Sequence, residues 1–198
     1  MTPIHDPNTI YFCVDIEASG PVPALYNMVS IAGVEVRLDG ERHRRGDHFY
    51  FEIAPMCDGF DPSAMAIHGL TEAHLREHGR PAKEVMAAIT EFVKARTSRR
   101  KRALFVGHNA PFDWMYVAWY FQWAGVENPF GYDPLDTKAL MMGRHGTPWS
   151  GCNKKAMLSR YPGLQAPRPE DEHNALVDAE FQADLLICLL DGAIEAPA

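Results

Sequence analysis

Ile10-Tyr11-Phe12-Cys13-Val14-Asp15-Ile16-Glu17 is the stretch from which the organisation of this 198-residue chain can be read. Five apolar residues, several aromatic or β-branched, run up to Asp15, and such a run reads as a strand buried on both faces. Residues two apart in a strand share a face, so Asp15 and Glu17 point one way at its end while Val14 and Ile16 point the other. Two carboxylates at the end of a buried strand are costly to desolvate unless a cation or a hydrogen-bonding partner compensates them. By itself the triplet is weak evidence, because roughly one Asp-x-Glu arises by chance in a chain of this length and ordinary acid content.

Working outward, Met28 to Leu38 and Asp47 to Ile53 carry strand-like content, with a hairpin across Asp39-Gly40. Pro62 to Gly69 and Thr71 to His78 read as short helices, and Pro81 to Thr97 as a longer amphipathic one. Ala103 to Val106 is a short buried strand, Pro111 to Ala124 a helix opened by proline, and Tyr132 to Asp136 a fifth strand. Thr137 to Gly143, Asn153 to Tyr161 and Ala175 to Leu190 complete the helices, the last entered from a Pro-rich, charged loop, Gln165 to Glu172. Strands first, then alternating helices and strands, predict an α/β fold, a mixed five-stranded sheet with an antiparallel edge, flanked by helices.

The length fits one domain over residues 1–198, with its core over about 10–190, and a 46% hydrophobic content supports a substantial core. No apolar run approaches the roughly 20 residues of a membrane span. Met1 to Thr9 lacks the basic-then-apolar pattern of a signal peptide, so a cytoplasmic protein without membrane contact is expected. Cys13, Cys57, Cys152 and Cys188 show no Cys-x-x-Cys pairing and indicate neither a zinc ribbon nor a disulfide framework. A net charge of −7 argues against a protein that coats duplexes nonspecifically, while leaving room for a local basic site.

Two further segments carry acids at the edges of apolar stretches. His108-Asn109-Ala110-Pro111-Phe112-Asp113 puts Asp113 at the start of a helix just after a strand, at the carboxyl edge where open α/β sheets build their sites. The plainer reading is a carboxylate favouring the helix dipole. His173-Asn174-Ala175-Leu176-Val177-Asp178 places a histidine five residues before an acid, about 140° apart on a continuous helix. They converge only if His173 lies in the entering loop; otherwise it is a surface histidine beside Glu170, Asp171 and Glu172.

In that order and spacing, Asp15-x-Glu17, Asp113 and His173-x4-Asp178 resemble the DEDDh, or DnaQ-like, 3'-to-5' exonuclease family. Ile67-His68-Gly69-Leu70 and Pro134-Leu135-Asp136-Thr137 add to the likeness, which covers about Ile10 to Leu190. His173 marks the histidine branch; the tyrosine branch would carry Tyr where this chain has Asn174.

The resemblance implies an RNase H-like fold and hydrolysis of the terminal phosphodiester at single-stranded RNA or DNA 3' ends, releasing nucleoside 5'-monophosphates. It implies two Mg2+ ions, with Mn2+ an alternative, one held by Asp15, Glu17 and Asp178 and the other by Asp15 and Asp113. Hard oxygen ligands and the charge-stabilising role of a two-metal clamp agree with this. His173 would be the general base, a role suited to a side chain that titrates near neutrality.

The resemblance also implies that the backbone of Ala18 and Ser19, with Ile67 and His68, contacts the terminal nucleotide. The commoner Glu-Thr-Thr-Gly is replaced here by Glu17-Ala18-Ser19-Gly20, which removes one hydroxyl. His108 and Asn109 are read as positioning residues for Asp113, with Asn109 also at the substrate.

Phe112, Tyr116, Trp119, Tyr120 and Trp123 recur at helical spacing and are expected to be mainly a core stripe. Phe112, beside Asp113, is the one stacking candidate among them. Lys94, Arg96 and Arg99 to Arg102 form a basic run, as do Arg42, Arg44 and Arg45, read as solvated ends with phosphate tracking as the sharper alternative.

The chain ends 20 residues after Asp178, which favours a stand-alone enzyme of the Ribonuclease T or oligoribonuclease type over a polymerase proofreading subunit. Glu127-Asn128-Pro129-Phe130 is similar to a segment of Ribonuclease T, whose relatives are homodimers. The alternatives are a non-catalytic module binding nucleic-acid ends on the same fold and an unrelated metal-binding or interaction domain.

Overall fold

The computed structural model describes residues 2–168 and 173–192. Its first element is β1 (Thr9–Ala18), buried along its length except that Asp15 and Glu17 are half-buried. β2 (Met28–Asp39) and β3 (Arg42–Glu52) follow as an antiparallel hairpin, then α1 (Pro62–His68), α2 (Glu72–His78) and α3 (Ala82–Lys94). β4 (Arg102–Gly107) leads into α4 (Pro111–Ala124), and β5 (Leu135–Asp136) into α5 (Thr137–His145). A 3-10 turn at Trp149–Gly151, α6 (Lys154–Arg160) and α7 (Ala175–Asp191) complete the order.

The sheet runs β3-β2-β1-β4-β5; β1 is antiparallel to β2 and parallel to β4, and β5 is parallel to β4. This is the mixed five-stranded sheet flanked by helices that the alternation of elements predicts.

The alternation of β1 sorts the two layers. Ile10, Phe12, Val14 and Ile16 face the cluster built with α3 and α4, while Tyr11 and Cys13 face α7. Asp15 and Glu17 belong to the second parity, so the helix that meets them is α7. Ala175, Ala179 and Ala183 recur every four residues on the face of α7 packed against the sheet, and small side chains there let the helix approach closely. The opposite face of α7, with Phe181, Leu185 and Leu189, packs on Met141 of α5 and Met157 of α6. A helix covered on both sides is apolar nearly all round, which is why no single stripe stands out in its sequence.

Two strands differ from the sequence reading. β3 begins at Arg42 rather than Asp47, because its first half hides the alternation among charged residues: only His43 turns inward. There the His43 ring lies 2.6 Å from Asp191 Oδ1, and its backbone N–H donates to Asp191 Oδ2 at 2.8 Å, tying the hairpin to the end of α7. β5 is limited to Leu135–Asp136, two residues being all that pair with β4. The Gln165 to Glu172 loop lies partly outside the described residues.

Beyond β1, Asn27 is buried and ties together two loops. Its Oδ1 accepts from the N–H groups of Met56 (2.7 Å) and Cys57 (3.0 Å), and its Nδ2 donates to the carbonyls of Cys57 (3.0 Å) and Gly59 (3.1 Å). Gly59 is required there: a Cβ would stand 1.7 Å from the carbonyl oxygen of Leu25. Asn27→Ala should therefore cost about 2 kcal/mol or more, since it leaves buried backbone groups unpaired. Urea unfolding measures this, and a loss below about 0.5 kcal/mol would contradict the network's importance. Among the described residues no helix is long and apolar enough to cross a membrane.

Candidate active site

Pairing of β1 with β4 ends at Cys13 and Val106, so the β4-facing side of Ile16 has no strand partner. Asp113, in the first turn of α4, fills that place: its Oδ1 accepts the Ile16 N–H at 3.2 Å, and the residue is 5% exposed. Its position also suits the helix dipole, so the structural and chemical readings coexist. A register shift in the β1–β2 ladder between Glu17 and Ala18 bends the strand at this edge, as bulges beside sites commonly do.

From the other layer come His173 and Asp178. Asn174 caps α7, its Oδ1 accepting from Leu176 N–H at 3.1 Å. His173 lies before the helix with φ of 63°, the left-handed region that disfavours a side chain, and its N–H donates to Asp178 Oδ2 at 3.0 Å. A ring nitrogen of His173 and carboxylate oxygens of Glu17 and Asp178 lie within 4.8 Å of one another. The histidine is thus in the entering loop, the arrangement under which five-residue spacing converges.

Crowding raises the carboxyl pKa values. Burial, then the charges of Asp113, Asp178 and Glu17, hold Asp15 well above the usual carboxylate range. Burial, reinforced by Asp178 and Asp113, pushes Glu17 up to about 8. Burial takes Asp113 to about 7 against the opposing hydrogen bond from Ile16. The opposing cation is Lys154, whose ammonium bonds Asp178 Oδ1 and whose charge lowers the pKa of Asp15 and Glu17. Four carboxylates facing one resident positive charge among the described residues are undercompensated, and hard divalent cations suit such donors.

Lys154 and Gln182 are absent from the sequence reading. Gln182 is one turn beyond Asp178 on the same face of α7 and donates Nε2–H to Asp15 Oδ1 at 2.6 Å. That i, i+4 spacing was a usable signal. Lys154 gave none, because its place depends on how α6 packs.

The remaining predicted residues divide. Ile67 (56% exposed) and Phe112 (37%) present apolar surface, and Phe112 lies 5.6 Å from the Tyr116 ring. Half-buried His68 accepts from Leu70 N–H through Nδ1 at 3.1 Å, and burial lowers its pKa. Ala18 is buried at the bulge.

Ser19, expected beside the terminal nucleotide, is bonded on every side within the protein. Its N–H donates to Asn27 O (2.8 Å), its carbonyl accepts from Asp61 N–H (2.7 Å), and its hydroxyl donates to Gly59 O (2.6 Å). Fully buried and fully bonded, it braces the loop.

Asn109, at φ of 69°, donates its N–H to Asp136 Oδ1 at 3.1 Å, and the His108 ring pairs with Thr137 Oγ1 at 2.9 Å. Together they fix the turn that delivers Asp113. Burial, with Lys138 nearby, pushes His108 down to about 4.

The aromatic series splits. Tyr116 and Tyr120 are core, with their hydroxyls bonded to Gly20 O (2.7 Å) and Met28 N–H (2.8 Å), whereas Trp123 is 53% exposed.

The pattern defining the Rv2179c-like 3'-5' exoribonuclease domain matches residues 11–190. The chain belongs to this family. It is accordingly a hydrolytic 3'-to-5' exonuclease. It is 31% identical over 176 residues to the 3'-5' DNA exonuclease Cap18 of Escherichia coli, covering 89% of each chain. It is 29% identical to Ribonuclease T of Marinobacter nauticus, covering 87% of this chain and 78% of that one. The nuclease domain of 3'hExo, a DEDDh family member bound to rAMP, superposes with a TM-score of 0.72 at 16% identity over 91% of both chains. The fold of this chain is thus the one found in the nuclease domain of a DEDDh family member.

Proposed function

We propose that this chain is a divalent-metal-dependent exonuclease that shortens single-stranded nucleic acid from its 3' end, within one catalytic domain. The observation carrying the proposal is the meeting of Asp15, Glu17, Asp113 and Asp178 with His173 at one sheet edge. Asp15, Glu17 and Asp178 are assigned one Mg2+ or Mn2+, and Asp15 and Asp113 a second. When bound, such ions polarise the attacking water and stabilise charge on the leaving oxygen.

The chain's own groups do the rest. Gln182 orients Asp15, and the His173 loop is held to Asp178 by a backbone hydrogen bond. His173 takes a proton from water as its oxygen bonds to the terminal phosphorus; the P–O3' bond breaks, and the released 3' oxygen takes up a proton. The products are a nucleoside 5'-monophosphate and a strand shorter by one residue. Ile67, His68 and Phe112 border the space for the terminal base, and an aromatic ring there accepts any base by stacking.

The family description names RNA and the Escherichia coli relative's name gives DNA, so both polymers belong in the assay. A cytoplasmic homodimer is part of this reading. His173→Ala should lower kcat by about 10²- to 10⁴-fold, with Mg2+ affinity by calorimetry close to that of the parent chain. A comparable loss of Mg2+ affinity would make His173 a ligand instead.

A further inference from the structure

Six of the chain's 19 Lys and Arg residues fall within positions 94–102, and the structure puts them at the far edge of the sheet from the acids. Arg102 pairs with Thr9, six residues before Asp15 along β1, which is about 20 Å of strand. Three of the six are committed within the protein: Lys94 to Glu127 (2.7 Å), Arg96 to Asp47 (2.6 Å), and Arg102 Nε to Thr9 Oγ1 (3.2 Å). Arg99 and Lys101 make no ion pair among the described residues.

These two, with Lys94 and Arg102, line a cleft of about 660 Å³ whose wall also includes Phe130 and Tyr132, the latter 92% exposed. Four cations face two carboxylates, Glu127 and Asp133, and Glu127 is already neutralised by Lys94.

α4 joins this cleft to the acids. It starts at the catalytic edge with Phe112 and Asp113, and the loop after it supplies Glu127, Pro129 and Phe130 to the cleft. Beyond Asp113 it carries no charged side chain. Phe112, Trp119 and Trp123 lie within about 40° of one line down the helix. Trp119 and Trp123 are stacked, with centroids 6.3 Å apart and planes at 17°. Trp119 is half-buried against the core, while Phe112 and Trp123 at either end of the row are exposed. Surface helices ordinarily present charge there, so this aromatic edge calls for an occupant.

We propose that the 5'-ward part of the substrate strand follows the outer face of α4, its bases against Phe112, Trp119 and Trp123, and that its phosphates reach the basic cleft. The inference rests on the exonuclease reading and extends it to a binding track in the same chain. The order of acids, aromatic row and cations matches a strand whose 3' end lies at Asp15. Fourteen helical residues span about 21 Å, or roughly six stacked nucleotides at about 3.4 Å each.

The test is the kcat/KM of the full chain on 5'-labelled single strands of 2 to 12 nucleotides, over a range of salt, with melting temperatures to establish that variants fold. Catalytic efficiency should climb to about seven nucleotides and then level off. In Arg99→Ala/Lys101→Ala the advantage of a 10-mer over a dinucleotide should fall about tenfold, and the salt slope should flatten by about 1.4, two contacts at roughly 0.7 each. Trp123→Ala should reduce the same advantage.

Equal kcat/KM at all lengths in the parent chain would overturn the track while leaving the exonuclease reading intact; no shortening of any strand would end both. An equal loss on dinucleotides and 10-mers in the variants would also overturn it. So would a Trp123→Ala chain that changes oligomeric state with its length profile unmoved, which would assign the aromatic row to a second copy.

Discussion

Asp15→Asn should lower exonuclease kcat/KM by on the order of a thousandfold, and at pH 8 it should raise the melting temperature of the metal-free protein. The first effect follows from removing a carboxylate assigned to both ions, which together supply several kcal/mol of transition-state stabilisation. The second follows from the environment. Asp15 is buried against the charges of Asp113, Asp178 and Glu17, all of which oppose its ionisation. A neutral amide removes that repulsion and still offers an oxygen to Gln182 Nε2. A gain of about 5 °C corresponds to roughly 1 to 2 kcal/mol in a domain of this size. Calorimetry in chelator and a strand-shortening assay measure the two effects on one preparation. A variant that is inactive and also less stable would show that the carboxylate braces the fold.

The metal-free protein should lose stability as pH rises from about 4.5 to 8, and Mg2+ should restore it. Glu17 moves from 4.5 to about 8, and Asp113 from 3.8 to about 7. In each case the folded form holds its proton above the unfolded pKa. The stability this gives is full below the unfolded value and is lost as pH climbs through the folded one. Asp15 shifts in the same direction.

His108 has the opposite sign. Held at about 4, it contributes stability that increases as pH rises toward 6.5 and is then complete. Between about pH 4.5 and 6.5 the loss at Glu17 and Asp113 outweighs the gain at His108, and above 6.5 it is unopposed, so the chelated protein should be most stable near pH 4.5 and weaken from there. A divalent ion binds the ionised carboxylates, so the Mg2+-induced rise in melting temperature should grow with pH across the same window. Melting curves at half-unit steps, with chelator and with excess Mg2+, would show it. A metal-free protein as stable at pH 8.5 as at 6.5 would contradict the electrostatic description of the site.

Where local pattern and tertiary role coincide, the sequence was informative. The apolar run into Asp15 defined the central strand, and α4 runs from Pro111 to Ala124 as expected. His173 and Asp178 depended on a loop entry that the Pro-rich approach suggested and that Asn174 completes by capping α7.

Long-range partners hid the rest. The charged half of β3 looks unlike a strand because its inward residue, His43, is compensated by Asp191, 148 residues away. Lys154 looks like any basic residue at a helix start until α6 delivers it to Asp178. Ser19 sits where a nucleotide contact was expected, yet Asn27 and Gly59 turn it inward. The basic run reads as one patch, while the fold commits Lys94 and Arg96 to ion pairs and leaves Arg99 and Lys101 without one among the described residues.

The central claim, cleavage from the 3' end by the acids gathered around Asp15, is tested most directly by one gel series. Single-stranded RNA and DNA of matched sequence, labelled at the 5' end, would be incubated with the parent chain and with Asp15→Asn, in Mg2+ or in chelator. The expected result is a ladder that shortens one nucleotide at a time with the parent chain in Mg2+, and intact strands in every other lane. A ladder of equal intensity from Asp15→Asn, or from the parent chain in chelator, would contradict it.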